Sequence, residues 1–322
     1  MFQAHAMKLL HYAAAFVCLT VLLPFLNQAQ ANTMADLVPF EWPTRSPEVK
    51  TSFELVVEND TFLNKKRDGF FTSGLRYTRH TITHESERSL AIGFHVGQEM
   101  YTPSRTQKKV LSLSTLDHPY AAWLYVGADK SAYLTNGSFQ ILGLDVGCLG
   151  PCAGGEWLQR TAHKIRGSNP PKGWNSQVKT ELGLILAGDY GFARTALQPW
   201  LDVQPGVKGR FGNIHTDATA FVRVRLGKLN DLPDQATLHT FWTTEMRAVG
   251  HDASLEGGYF SSGNLHVVTP RPLVMRMELG LAWTRMPFSI RASIVHRDNE
   301  ISQLAPSAGT HRFGKIQVVY SL

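Results

Sequence analysis

The chain has 322 residues, with 32 Lys and Arg against 26 Asp and Glu, a formal net charge of +6 at pH 7. That excess is modest and spread over many segments, which argues against a basic nucleic-acid-binding arm and is compatible with contact to an anionic lipid surface. Beyond the first 31 residues no segment approaches 18 consecutive apolar residues, so a membrane location would not rest on helices.

At the N-terminus, Met7-Lys8 precedes the apolar run Ala13 to Leu23, and Ala29-Gln30-Ala31 comes after it. A basic start, a core of about 7–15 apolar residues and a small-x-small box are the three parts of a secretory signal peptide. Cleavage is expected after Ala31, leaving 32–322 as a single domain. Cys18 leaves with the signal, and the two remaining cysteines, Cys148 and Cys152, lie four residues apart around Gly150-Pro151. An oxidising compartment could join them locally. A metal site is the rival reading, although two lone thiols make a poor one.

Strand periodicity dominates the mature chain. Met275, Met277, Leu279, Leu281 and Trp283 are apolar, whereas Arg276, Glu278, Gly280, Ala282 and Thr284 between them are polar or small. The same two-residue period marks Leu90/Ile92/Phe94/Val96, Val178/Thr180/Leu182/Leu184/Leu186, Val222/Val224/Leu226, Phe288/Ile290/Ala292/Ile294 and Ile316/Val318/Tyr320/Leu322. Twelve strands are expected in order, at 53–58, 72–79, 89–98, 120–127, 133–147, 176–190, 194–209, 215–227, 237–249, 273–284, 286–297 and 311–322. Export, strands of about 9–11 residues and an even count suit an all-β, twelve-stranded antiparallel transmembrane barrel whose outer face meets lipid. Closure answers a physical demand, because an unpaired strand edge in hydrocarbon costs several kcal/mol per backbone group. The chain departs from the usual pattern in ending on Leu322, with Tyr320 as the nearest aromatic residue.

One stretch breaks the strand rhythm. Ala153 to Ile165 has no Pro or Gly after Gly155 and ends before Gly167-Ser168-Asn169-Pro170-Pro171, which predicts a short helix in a loop.

Two places concentrate polar residues that barrel patterning does not require. Glu58-Asn59-Asp60 ends the first strand, with Asp68 and Phe71-Thr72-Ser73-Gly74 opening the second. Carboxylate, amide and carbonyl oxygens at a strand end are ligands for a hard cation such as Ca²⁺, and they are equally the ordinary chemistry of a turn. On the helix, Gln159 and His163 stand four residues apart and share a face. A histidine there can accept a proton near neutral pH, or be a plain packing residue. No G-x-S-x-G elbow is present, so a serine-esterase mechanism has no anchor.

In order along the chain, Glu58-Asn59-Asp60, Phe71-Thr72-Ser73-Gly74-Leu75, Tyr101-Thr102-Pro103-Ser104, Asp117-His118-Pro119-Tyr120-Ala121-Ala122, Gly147 to Pro151, Gly154-Gly155-Glu156 with Gln159 and His163, and Gly173-Trp174 with Gln177 resemble the outer-membrane lipid A 3′-O-deacylase family. Departures are Phe71 where the family often has Tyr, Ala122 where Gly is common, the cysteines flanking Gly-Pro, and the missing terminal aromatic. The resemblance implies a twelve-stranded barrel in the bacterial outer membrane, with a site at the outer-leaflet end between the wall and a helix from an extracellular loop. It implies Ca²⁺-dependent hydrolysis of the 3′-linked acyl or acyloxyacyl ester of lipid A. Carried over, His163 would be the general base, Asn59 and Asp60 would form the calcium and oxyanion site, and Thr72 and Gln159 would complete the pocket.

Lipid A carries phosphates, so Lys108, Lys109, Lys164 and Arg166 are candidates to hold the head group, although no spacing distinguishes them from solvated loop charges. A non-enzymatic barrel, whether pore or inactive relative, and a barrel phospholipase with another lipid preference are the alternatives.

Overall fold

The computed structural model describes residues 49–63, 69–84, 88–104, 106, 116–305 and 308–322. The expected signal peptide, Asp68, Lys108 and Lys109 lie outside the described residues. Thirteen strands occur in chain order: β1 (Val49–Asn59), β2 (Phe70–His84), β3 (Arg88–Thr102), β4 (Ala121–Leu134), β5 (Phe139–Leu149), β6 (Glu181–Gly191), β7 (Thr195–Gln198), β8 (Leu201–Gly212), β9 (His215–Lys228), β10 (Thr237–Asp252), β11 (Leu273–Arg285), β12 (Phe288–Arg297) and β13 (His311–Ser321). All pairings are antiparallel. β1 pairs with β13 from Ser52↔Ser321 to Asn59↔Gly314, and β6 pairs with β8 from Ile185↔Gly212 to Gly191↔Gly206. Those two seams close the sheet. β7 pairs with β8 alone and stands off the wall, which therefore has twelve strands.

Three elements differ in detail from the expected pattern. The stretch 176–190 enters the sheet only at Glu181, because Trp174–Ser176 is a turn of 3-10 helix. The stretch 194–209 divides into β7 and β8 at the turn Pro199-Trp200, because proline has no N–H to give to a ladder. The stretch 133–147 loses its start to a turn, in which Leu134 N–H donates to the Ser138 carbonyl (2.9 Å) and Gly137 takes φ +83°, a conformation natural to glycine.

Alternation sets the two faces of the wall. Outward residues are apolar and exposed, among them Leu75, Phe94, Val96, Leu124, Val126, Leu144, Leu184, Leu281 and Ile316. Inward residues include an aromatic cluster around Trp123, Tyr125 and Phe313 and many charged side chains that are paired. Glu245 binds Lys208 Nζ (2.7 Å) and Arg276 (3.1 Å), Arg276 also reaches Glu278 (2.9 Å), and Arg225 donates to Asp202 (2.9 Å). Buried charges persist only when paired in this way. A polar cavity of about 520 Å³ remains in the lumen, bordered by Glu58, His95, Glu99, Arg210 and His215. Among the described residues no helix is long and apolar enough to cross a membrane. The spanning surface is the apolar outside of the barrel.

The ends of the barrel are unequal. Turns at 135–138 and 286–287 are short, whereas 150–180, 253–272 and 298–310 form long loops at the opposite end. Long loops mark the extracellular side. At the long-loop end Leu255, Val268 and Ile301 pack together with Phe70 and Leu304.

Cys148, near the end of β5, and Cys152 form a disulfide with Cα atoms 6.0 Å apart. It ties the end of the strand to the start of the long loop. Cleavage of the expected signal peptide would remove Cys18 and leave these two cysteines, so protein lacking residues 1–31, denatured without reductant, should take up no iodoacetamide by intact mass. Two adducts should form after reduction. Two adducts before reduction would contradict the bridge.

Candidate active site

The site is assembled on the outside of the barrel, and strand parity shows it. In β3, Phe94 and Val96 point outward while Glu99 borders the lumen, so Met100 and Thr102 have outward parity. In β4, Leu124 and Val126 point outward while Trp123 and Tyr125 line the lumen, so Ala122 also faces out. Yet Met100, Thr102 and Ala122 are buried, the last two completely. What covers them is the loop after β5. Ala153, Trp174 and Tyr120 pack on Met100 and Ala122, with Leu158 against the cluster, and Gln98 Nε2 donates to the Ala153 carbonyl (2.5 Å).

The expected helix lies in this loop as α1 (Gly155–Ile165). Gly155 is where it touches the wall, since a Cβ there would come within 2.5 Å of Ala122 Cβ and 2.7 Å of the Trp174 ring. Just past its other end, Arg166 Nη1 donates to Thr61 Oγ1 (3.2 Å), immediately after β1. Eleven residues of helix span about 16 Å, and three interstrand steps from β4 to β1 span about 14 Å. The helix therefore runs across the outer face of the wall from β4 to β1. Gly155, Gln159 and His163, at i, i+4 and i+8, form its wall-facing stripe; Gln159 is buried and His163 half-buried.

Apart from Lys108 and Lys109, which lie outside the described residues, the expected site residues each have a place in this arrangement. Asn59 ends β1 with outward parity, Glu58 beside it bordering the lumen. Its side-chain oxygen accepts from Thr61 N–H (2.9 Å) and from the Thr61 hydroxyl, capping a single turn of 3-10 helix, Asp60–Phe62. Asp60 is buried, and its Oδ2 accepts from Gly69 N–H (3.0 Å). Asn59 is opposite Ser73 in the last β1–β2 pair, so Asp60, which opens the 3-10 turn, and Thr72 are the residues just beyond it.

Thr72 owes its direction to a β-bulge. Phe71 pairs with Tyr101 and Ser73 with Met100, leaving Thr72 as the extra residue. Phe71 packs inward against Tyr101 and Phe313, while Thr72 Oγ1 meets Thr102 Oγ1 at 2.7 Å, on the side of the wall that α1 covers. Phe70, just before the bulge, holds φ +62°, an uncommon conformation for a bulky residue. Its ring lies on His311 (5.5 Å, 21°) and edge-on to His118 (6.4 Å, 83°). His118 is fully enclosed: burial pushes its pKa below the usual histidine value although Nδ1 donates to the Pro119 carbonyl (2.7 Å).

Gln159 and His163 have fixed hydrogen-bonding senses. Trp174 Nε1, which can only donate, gives its hydrogen to Gln159 Oε1 (2.7 Å), so the amide NH₂ points the other way. That Nε2 is buried with no hydrogen-bond partner among the described residues. His163 Nδ1 lies 2.7 Å from the Asn169 carbonyl, which can only accept. The ring proton of the neutral imidazole is therefore on Nδ1, and Nε2 carries the basic lone pair. Lys164 is exposed. Arg166 is engaged by Thr61.

A sequence profile described as "Outer membrane protein LpxR" matches residues 14–322. The chain belongs to the LpxR family of outer-membrane proteins. The structure of LpxR from Salmonella typhimurium superposes with a TM-score of 0.69 at 22% identity, covering 84% of this chain and 99% of that one. That likeness shows the family barrel fold. The β domain of the Bordetella autotransporter BrkA aligns over 84% of this chain and 98% of its own, at 10% identity and a TM-score of 0.46. No curated protein matches the chain. Family membership makes this an outer-membrane β-barrel of the bacterial envelope, of a family associated with lipid A modification.

Thr102, Gly155 and Trp174 escaped the sequence as site-building residues. All three stood within the family motifs, but what they touch depends on the bulge and on the path of the loop.

Among the described residues no group of three or more His, Cys, Asp or Glu side chains gathers to hold a metal. The Asn59–Asp60 corner nevertheless offers one buried carboxylate and an amide oxygen, with Thr72 one residue beyond the last β1–β2 pair. All are hard oxygen donors of the kind Ca²⁺ takes. Asn59 Oδ1 already accepts from both the N–H and the hydroxyl of Thr61, so it could ligate a cation only if the Thr61 hydroxyl rotated away and freed one of its two lone pairs.

Proposed function

We propose that this protein hydrolyses the ester linking an acyl or acyloxyacyl chain to the 3′ position of lipid A, in a Ca²⁺-dependent reaction in the outer leaflet. The observation that carries this reading is the placement of Gln159 and His163 on the face of α1 that lies against the outside of the wall, with the end of α1 bonded to the turn that holds Asn59 and Asp60. A site there opens sideways to membrane lipid, where acyl esters are. A lumen site would not.

His163 Nε2 would accept a proton from water as the water oxygen attacks the ester carbonyl carbon. It would return that proton to the departing sugar oxygen, yielding a free fatty acid and a 3′-hydroxyl. Gln159 Nε2–H is a donor for the oxygen on which negative charge develops. Asp60 and Asn59 would hold Ca²⁺, whose chemistry there is Lewis-acid stabilisation of that same oxygen. Thr72, fixed by Thr102, would border the reacting ester.

Mass spectrometry of lipid A from cells with and without the protein, grown with calcium, tests the reading. Loss of the 3′-linked chain is expected. Identical spectra from correctly inserted protein would assign it to the inactive barrels, and hydrolysis of glycerophospholipid instead would make it a phospholipase.

Trp174 supplies a finer prediction. Trp174→Phe keeps an aromatic ring but removes the donor that orients Gln159, so kcat should fall roughly 5- to 10-fold, the equivalent of one hydrogen bond. KM should change little. An unchanged kcat would remove Gln159 orientation from the mechanism.

A further inference from the structure

The face of α1 that turns away from the wall remains unexplained by hydrolysis. Helical geometry advances about 100° per residue, so a residue two positions away lies about 160° around the axis. Trp157 is two residues from both Gly155 and Gln159, and Ile165 is two from His163. Each lies opposite a wall-facing residue. Accordingly Trp157 is 72% exposed and Ile165 82%. Around them are cations: Arg160, paired with Glu156 at 2.8 Å, and exposed Lys164.

We propose that this outer face of α1 is a lipid-binding surface, seated at the boundary between head groups and acyl chains of the outer leaflet. Three observations fix the occupant. The helix lies against the outside of the barrel, so its opposite face points away from the protein at the rim. The surface is continuous with the lipid-facing belt: Leu124 is two residues along β4 from Ala122, about 7 Å, and is already exposed, with Val126 next beyond it. Its composition, a tryptophan and an isoleucine flanked by Arg and Lys, is that of a helix lying in a membrane interface. α1 is then both a wall of the pocket and an anchor that holds the pocket at the depth of the acyl esters. The surface does not depend on the hydrolytic reading and is tested without it.

The full mature chain and its Trp157→Phe variant are folded into phosphatidylcholine vesicles containing phosphatidylglycerol, with or without 6,7-dibrominated acyl chains. Subtracting the variant's fluorescence isolates Trp157, since the other tryptophans are common to both. Bromine quenches on contact. The difference signal should fall by roughly half in brominated vesicles and be little affected by aqueous iodide. A difference signal quenched by iodide but untouched by bromine would overturn the proposal and leave the face to solvent or to a protein partner. Substitution at an exposed position leaves the barrel intact, and equal far-ultraviolet circular dichroism of the two proteins verifies it.

Discussion

His163→Ala is expected to lower lipid A deacylation by about 10²–10⁴-fold, the usual contribution of a positioned general base, while the barrel folds normally. The ring is oriented through Nδ1, bonded to the Asn169 carbonyl, at a half-buried position on a surface helix. Its loss removes no core packing. Heat-modifiable migration on a gel reports folding, and release of fatty acid from lipid A micelles reports activity. His163→Asn is the informative partner variant, because its amide can still reach Asn169 but offers no comparable base. A folded His163→Ala protein that still deacylates would exclude the imidazole from the proton transfer.

Asp60→Asn should be comparably severe, with a loss of about 10²–10³-fold, the size of removing one electrostatic stabiliser of the oxyanion. The change is nearly isosteric. An amide oxygen can still accept from Gly69 N–H, so the turn after β1 survives while the negative charge disappears. EGTA should abolish turnover by the unsubstituted protein, and added Ca²⁺ should restore it. The variant should require a higher Ca²⁺ concentration for half-maximal rate. Unchanged activity in EGTA would show that the carboxylate serves some purpose other than holding a cation.

These effects concentrate where the fold departs from barrel regularity. A bulge at Thr72, a left-handed Phe70 and a helix laid on the outer wall all occur at the long-loop end of β1–β4. Elsewhere the outside of the wall is mostly apolar, and its charged inward side chains are mostly ion-paired. The irregular features have a common consequence, which is to bring polar side chains to a surface that would otherwise be greasy.

Much of the barrel was legible from residues alone. Alternation at 275–284 or 316–322 is a local property, dictated by the opposite pointing of successive side chains, and the loss of that rhythm after Ala153 located the helix. The disulfide partners were nameable as one of two readings. The same pattern could not say which outward residues meet lipid. Met100 and Ala122 look in sequence like Leu124 and Val126, and differ only because the α1 loop lies over them. The bulge was equally silent, since one extra residue opposite Tyr101 and Met100 leaves no mark in composition. Periodicity is set by each strand's own backbone, whereas the direction of Thr72, the orientation of the Gln159 amide and the tautomer of His163 are set by groups that only the closed sheet and the returning loop bring near.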